Sequence, residues 1–140
     1  MKKIRRRLGR YLTTGLVLLA AGSCDDLGPS GPRGPGTIHV DLVSPNGAEG
    51  SAVFEVVGGR GLGIVTTTGG DVYYEHGTDL TRVVVILDVP GSIGFRIQSE
   101  NVRHLPQVTV SQVADGNDQL RGSLSGYEVE VVPLADEGVG

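Results

Sequence analysis

The chain is 140 residues long, 39% apolar but only 4% aromatic, with 12 basic against 16 acidic side chains and a net charge of −4. Its 23 glycines and 7 prolines stand beside a single cysteine and no tryptophan. This length fits one domain, one cysteine excludes an internal disulfide framework, and an acidic balance excludes the electrostatics of a nucleic-acid binder.

The charge is unevenly placed. Residues 1–10 hold six basic side chains (Lys2, Lys3, Arg5, Arg6, Arg7, Arg10) and no acid, and residues 11–22 (YLTTGLVLLAAG) are uncharged and mainly apolar. A basic segment, a short apolar run and small residues in that order are a secretory signal peptide. Twelve residues fall short of the about 20 that a transmembrane helix needs. An arginine run can serve as a nucleic-acid patch or nuclear signal, but here it abuts a hydrophobic run. Arg5-Arg6-Arg7 fits a twin-arginine export signal poorly. The residues Ala21-Gly22-Ser23-Cys24 resemble the lipobox of bacterial lipoproteins, with Ala21 where that family most often has leucine. The resemblance implies diacylglycerol on the sulfur of Cys24, cleavage after Ser23 and acylation of the new amino group. Two or more acyl chains hold a protein stably on a membrane, at about 0.8 kcal/mol per buried methylene. The expected product is exported and anchored on the periplasmic or cell-surface side, with inner and outer membrane left open. Its mature part keeps six arginines and no lysine against 16 acids, a net of −10.

Residues 25–36 (DDLGPSGPRGPG) contain three Gly-Pro-x triplets. A collagen helix needs a long unbroken run of glycine at every third position, so this stretch reads as an extended spacer of about 3.1 Å per residue. The expected organisation is a signal peptide over 1–23, lipidated Cys24 and linker over 24–36, a β domain over 37–134 and a flexible tail over 135–140.

Short β-branched runs predict strands at 37–43, 51–57, 62–67, 71–75, 82–89, 93–98, 107–113, 119–124 and 127–133. Between them stand turn signals such as Pro45-Asn46-Gly47, Gly69-Gly70, Pro90-Gly91 and Asp115-Gly116. Strands of this length with turns about every ten residues indicate an all-β sandwich or barrel, and no window shows a helical period. Alternation puts Ala52, Phe54 and Val56 on one face and Ile93, Phe95 and Ile97 on another, as in half-buried antiparallel strands. Val83-Val84-Val85-Ile86-Leu87 is apolar on both faces, which predicts a central strand covered on both sides. The expected fold is all-β: a single antiparallel β-sandwich, jelly-roll-like, of about eight or nine short strands. The succession of Gly50-Ser51-Ala52-Val53-Phe54-Glu55-Val56, the apolar strand 82–89, Gly91-Ser92-Ile93-Gly94-Phe95-Arg96-Ile97, the strand 107–113, and Asp115-Gly116-Asn117 before a closing hairpin resembles cohesin-type and carbohydrate-binding-module-like jelly rolls of exported bacterial proteins. The resemblance carries over a scaffold and no binding residue.

Several constellations invite chemistry. Gly58-Gly59-Arg60-Gly61-Leu62-Gly63 is followed by a β-branched run. A phosphate-cradling loop needs a helix there, so a hairpin or bulge is the better reading. Gly122-Ser123-Leu124-Ser125-Gly126 has the outline of a nucleophile elbow, but leucine stands at its centre. His39, His76 and His104 lack zinc-site spacing. Asp115, Asn117 and Asp118 offer oxygens that calcium accepts, but the same residues build ordinary turns; a turn is the preferred reading and no cofactor is expected. Tyr73 and Tyr74, adjacent on a strand, point to opposite faces, so one is expected in the core and the other on the surface, where it could stack on a sugar ring. Glu128 and Glu130 share one face and one environment, whereas an acid and a base need environments that differ. The leading expectation is a non-catalytic, lipid-anchored binding or structural module that contacts a protein or a surface polymer. The alternatives are an assembly accessory that pairs through a sheet edge and, behind it, a hydrolase, which needs a cleft with perturbed carboxylates or histidines.

Overall fold

The computed structural model describes residues 34–58, 61–66 and 69–134. Cys24, the signal segment, nearly all of the linker and the tail at 135–140 lie outside the described residues.

Eight strands follow in order: β1 (Gly36–Val43), β2 (Glu49–Val57), β3 (Gly61–Thr66), β4 (Gly70–His76), β5 (Leu80–Gly91), β6 (Gly94–Ser99), β7 (Gln107–Ala114) and β8 (Glu128–Pro133). They form two four-stranded sheets, a first with order β3-β6-β1-β8 and a second with order β4-β5-β2-β7. Every pairing is antiparallel. The pairs β1 with β8, β2 with β7, β3 with β6 and β4 with β5 are those of one long antiparallel ribbon rolled upon itself, and β1–β6 and β2–β5 contacts join them into sheets. Only the β4–β5 connection stays within a sheet; all others cross the sandwich. This is the pairing logic of a jelly roll.

Alternation explains the core. Ile38, Val40 and Leu42 of β1, with Phe95 and Ile97 of β6, point inward from the first sheet. Ala52, Phe54 and Val56 of β2, with Val83 and Val85 of β5, meet them from the second. The chain's two phenylalanines, Phe54 and Phe95, come one from each sheet and stack with centroids 5.0 Å apart and planes tilted by 59°. Such a pair contributes about 0.5–1.5 kcal/mol beyond the area it buries. Glycine is required where backbones nearly touch: a Cβ on Gly50 would stand 2.5 Å from the Asp115 carbonyl oxygen. At Gly70, φ of +147° and the Ile86 carbonyl 2.3 Å from a built Cβ both exclude a side chain.

Two expectations change. The segment 119–124 is not a strand. It makes one isolated bridge, Leu120 with Ala114, because the Arg121 side chain is drawn away to a buried carboxylate and Leu124 packs against the core. The strand 83–87 is central but covered on one side only. Val83 and Val85 are buried, whereas Val84 is half-buried and Ile86 is 45% exposed. Its outward residues are shielded sideways by neighbouring strands rather than by a layer above.

Candidate functional site

Residues in register on antiparallel neighbours share a face, so the outer surface of the second sheet can be read as cross-strand rows. Tyr73, Val84, Val53 and Gln112 form one row across β4, β5, β2 and β7. Asp71, Ile86, Ser51 and Ala114 form the row on one side of it, and Glu75, Arg82, Glu55 and Thr109 the row on the other. Leu80 and Val57 extend the apolar surface beyond. Tyr73 is 58% exposed, and Arg82 lies 3.7 Å from Glu55. The result is an apolar band bordered by charge. On the first sheet the outward rows are polar: His39 stands between Arg96 and Val132, Asp41 beside Glu130, and Thr37 beside Gln98. His39 Nε2 lies 3.2 Å from the Asp41 carboxylate.

The two tyrosines depart from expectation, because neither is buried. Tyr73 faces outward as above. Tyr74 shares the inward face with Val83 but is 46% exposed, its ring edge-on to His76 at 5.1 Å. β4 ends its sheet, so no strand on the far side covers Tyr74. His76 Nδ1 lies 2.9 Å from the Thr81 hydroxyl.

Asp115, Asn117 and Asp118 form a capped turn. One Asp115 carboxylate oxygen accepts the backbone N–H groups of Asn117 (2.8 Å) and Gln119 (3.1 Å), and the other lies 3.9 Å from Arg121. Those backbone donors hold the Asp115 carboxyl below its usual range. Asp118 adopts a left-handed φ of 60°, a conformation that aspartate tolerates in turns. Among the described residues no group of three or more His, Cys, Asp or Glu is placed to hold a metal. His39 lies on β1, His76 on β4 and His104 in the β6–β7 connection. The glycine-rich stretch enters β3 through a register shift between Gly61 and Gly63.

Sequence reasoning missed Glu49. This carboxylate is 1% exposed and fully engaged. Oε1 accepts the hydroxyls of Ser44 (2.7 Å) and Tyr127 (2.5 Å); Oε2 accepts Nε and Nη2 of Arg121 at 3.1 and 3.0 Å. Asn46 donates in turn to the Tyr127 oxygen at 2.8 Å. Burial pushes the Glu49 pKa up, but the bonds from Tyr127, Ser44 and Arg121 and the guanidinium charge outweigh it and hold the group below the usual carboxylate range. The network ties the β1–β2 connection to the β7–β8 connection, beside two clefts of about 410 and 440 Å³ that share Gly91 and Ser92. Strand parity puts Glu49 opposite Ala52 and Phe54, on the solvent side. A register shift between Glu49 and Ser51 turns it inward instead, and the unpaired acid before Gly50 was the only available hint.

Comparison with known proteins finds no matching family model, no matching curated protein and no matching solved structure.

Proposed function

We propose that this chain is a lipid-anchored, exported, non-catalytic binding module of the bacterial envelope, built on a cohesin-like scaffold, whose second sheet docks a protein partner through its outer face. The anchor half of the reading rests on the order of basic segment, apolar run and Ala21-Gly22-Ser23-Cys24. The observation that carries the docking half is the outward Tyr73-Val84-Val53 row with Ile86, in which Tyr73 and Ile86 are exposed and the two valines half-buried, bordered by Glu75, Arg82 and Glu55. An apolar centre with a charged rim is the anatomy of a protein interface. The band holds one aromatic ring and no groove lined by several, which suits a protein better than a sugar chain. The buried Glu49 carboxylate, saturated with hydrogen bonds, supports a structural role for the molecule's main polar network rather than acid–base chemistry.

Two measurements test the two halves. Cys24→Ala releases the protein from membranes in cell fractionation while the fold persists; continued pelleting with membranes refutes the anchor. A photo-crosslinking residue at Ile86, introduced in cells, captures a discrete protein adduct, and the same probe at Gln98 on the first sheet does not. Equal adducts from both faces, or none from Ile86, refute the docking face.

A further inference from the structure

The four sheet edges of this sandwich are not alike. An open edge presents unpaired backbone groups, and proteins blunt it with bulges, prolines, glycines or charge. β3 carries Gly61 and Gly63 with a register shift between them. β7 is interrupted at Ser111, which has no register partner on β2 between Gln112 opposite Val53 and Val110 opposite Phe54 and donates its hydroxyl to the Val53 carbonyl instead. β8 ends in Pro133 and points Glu128 and Glu130 outward. β4 carries Gly70 at its first position and charge at Asp71 and Glu75, but its pairing is unbroken. It pairs with β5 without interruption from Gly70 to His76, contains no proline and no bulge, and has no hydrogen-bonded strand on its other side among the described residues, although β3 of the first sheet comes near it. From Tyr73 to His76 every residue is exposed.

We propose that β4 is a strand-docking edge that accepts an extended, basic segment of another protein, adding a fifth strand to the second sheet. Backbone hydrogen bonds supply affinity in this mode, and alternate side chains supply specificity. The outward residues of β4 are Asp71, Tyr73 and Glu75. An incoming strand with lysine or arginine opposite the two acids and a β-branched or aromatic residue opposite Tyr73 is complementary. Asp71 is the stronger determinant, because its neighbour on β5 is Ile86, while Glu75 already faces Arg82. A second copy of the chain fits worse. Two-fold pairing about Tyr73 sets Asp71 against Glu75 twice, and pairing about Tyr74 leaves both acids without a cation. Beyond residues 1–10 the chain's own arginines stand singly, so its own strands cannot supply the basic pattern. This edge adjoins the docking face and shares Tyr73 and Glu75 with it, but it binds through the β4 backbone, so either assignment can fail alone.

The test uses the full-length protein in detergent micelles and a nine-residue peptide of threonine and valine with lysine at its third and seventh positions. The lysine peptide slows amide exchange in 70–76 and binds roughly tenfold more tightly than its glutamate counterpart, since two cross-strand charge pairs change sign. Methylation of its backbone nitrogens on one edge abolishes binding. The double substitution Asp71→Lys with Glu75→Lys reverses the preference in favour of the glutamate peptide. Protection outside β4, indifference to the charge swap, or protection of β4 that grows with protein concentration in the absence of peptide overturns the proposal, the last by naming a second copy as the occupant.

Discussion

The outer faces of the two sheets are made by the same device and differ in character. Both arise from period-two alternation over a common interior, and in both the inward positions hold Ile, Val, Leu or Phe. On the first sheet the outward positions carry His39, Asp41, Arg96, Gln98 and Glu130, a mostly polar surface that also holds the exposed apolar Val132. On the second they carry Tyr73, Val84, Val53 and Ile86. The interior therefore does not decide the character of either outer face. Outward residues are nearly free of packing constraints, so they can be chosen for recognition without cost to the fold.

If that separation is real, damage to the interior must remove both faces together. Phe54→Ala, which empties one side of the Phe54–Phe95 stack, lowers stability by about 3–5 kcal/mol. The loss is visible in denaturant unfolding, and crosslinking from Ile86 disappears with it.

The Glu49 network is the next largest effect, because it joins the sheets at one end: Glu49 begins β2, and Tyr127 leads into β8. Removing one partner of a buried ion pair costs about 3–5 kcal/mol. Arg121 is 27% exposed, so solvent keeps the loss in Arg121→Met below that range, read as a lowered midpoint in denaturant unfolding. Adding Glu49→Gln to that variant recovers part of the loss, and the non-additivity measures the coupling.

A pH series sharpens the same point. Because the folded state holds the Glu49 carboxyl below its ordinary value of 4.5, its contribution is complete above that pH and is lost as pH falls through it toward the lower folded value. Stability therefore declines in acid, and Glu49→Gln flattens the decline. A thermal-melting series from pH 7 to pH 3 in both proteins checks this; equal slopes would sink the assignment.

The smallest change in stability separates the faces most cleanly. Ile86→Glu and Val132→Glu both alter exposed outward residues, and each changes stability by no more than about 0.5 kcal/mol. Partner capture, read by crosslinking from Val53 in the second sheet, is lost in Ile86→Glu and retained in Val132→Glu.

Much of this molecule was legible in its residues. Strands at 37–43, 51–57 and 107–113 were readable within a residue or so because β-branched runs ended at Pro, Gly or Asn. The inward set Ala52, Phe54 and Val56 followed from parity. The segment 119–124 misled because its composition is strand-like while its course is set by one distant partner: Arg121 reaches across 72 positions to Glu49. The apolar pentad 83–87 misled for a related reason. Composition shows that both faces of a strand are apolar, but not whether a second layer covers them.

Local chemistry thus determined the acidic, all-β composition of the domain and the alternation that builds its core, since each depends on residues close together in the chain. Tertiary structure alone decided which outward residues line up into a row, which strand lies unguarded at an edge and which acid is turned inward. Cross-strand register and a single bulge place residues tens of positions apart side by side, and no period within one segment carries that information.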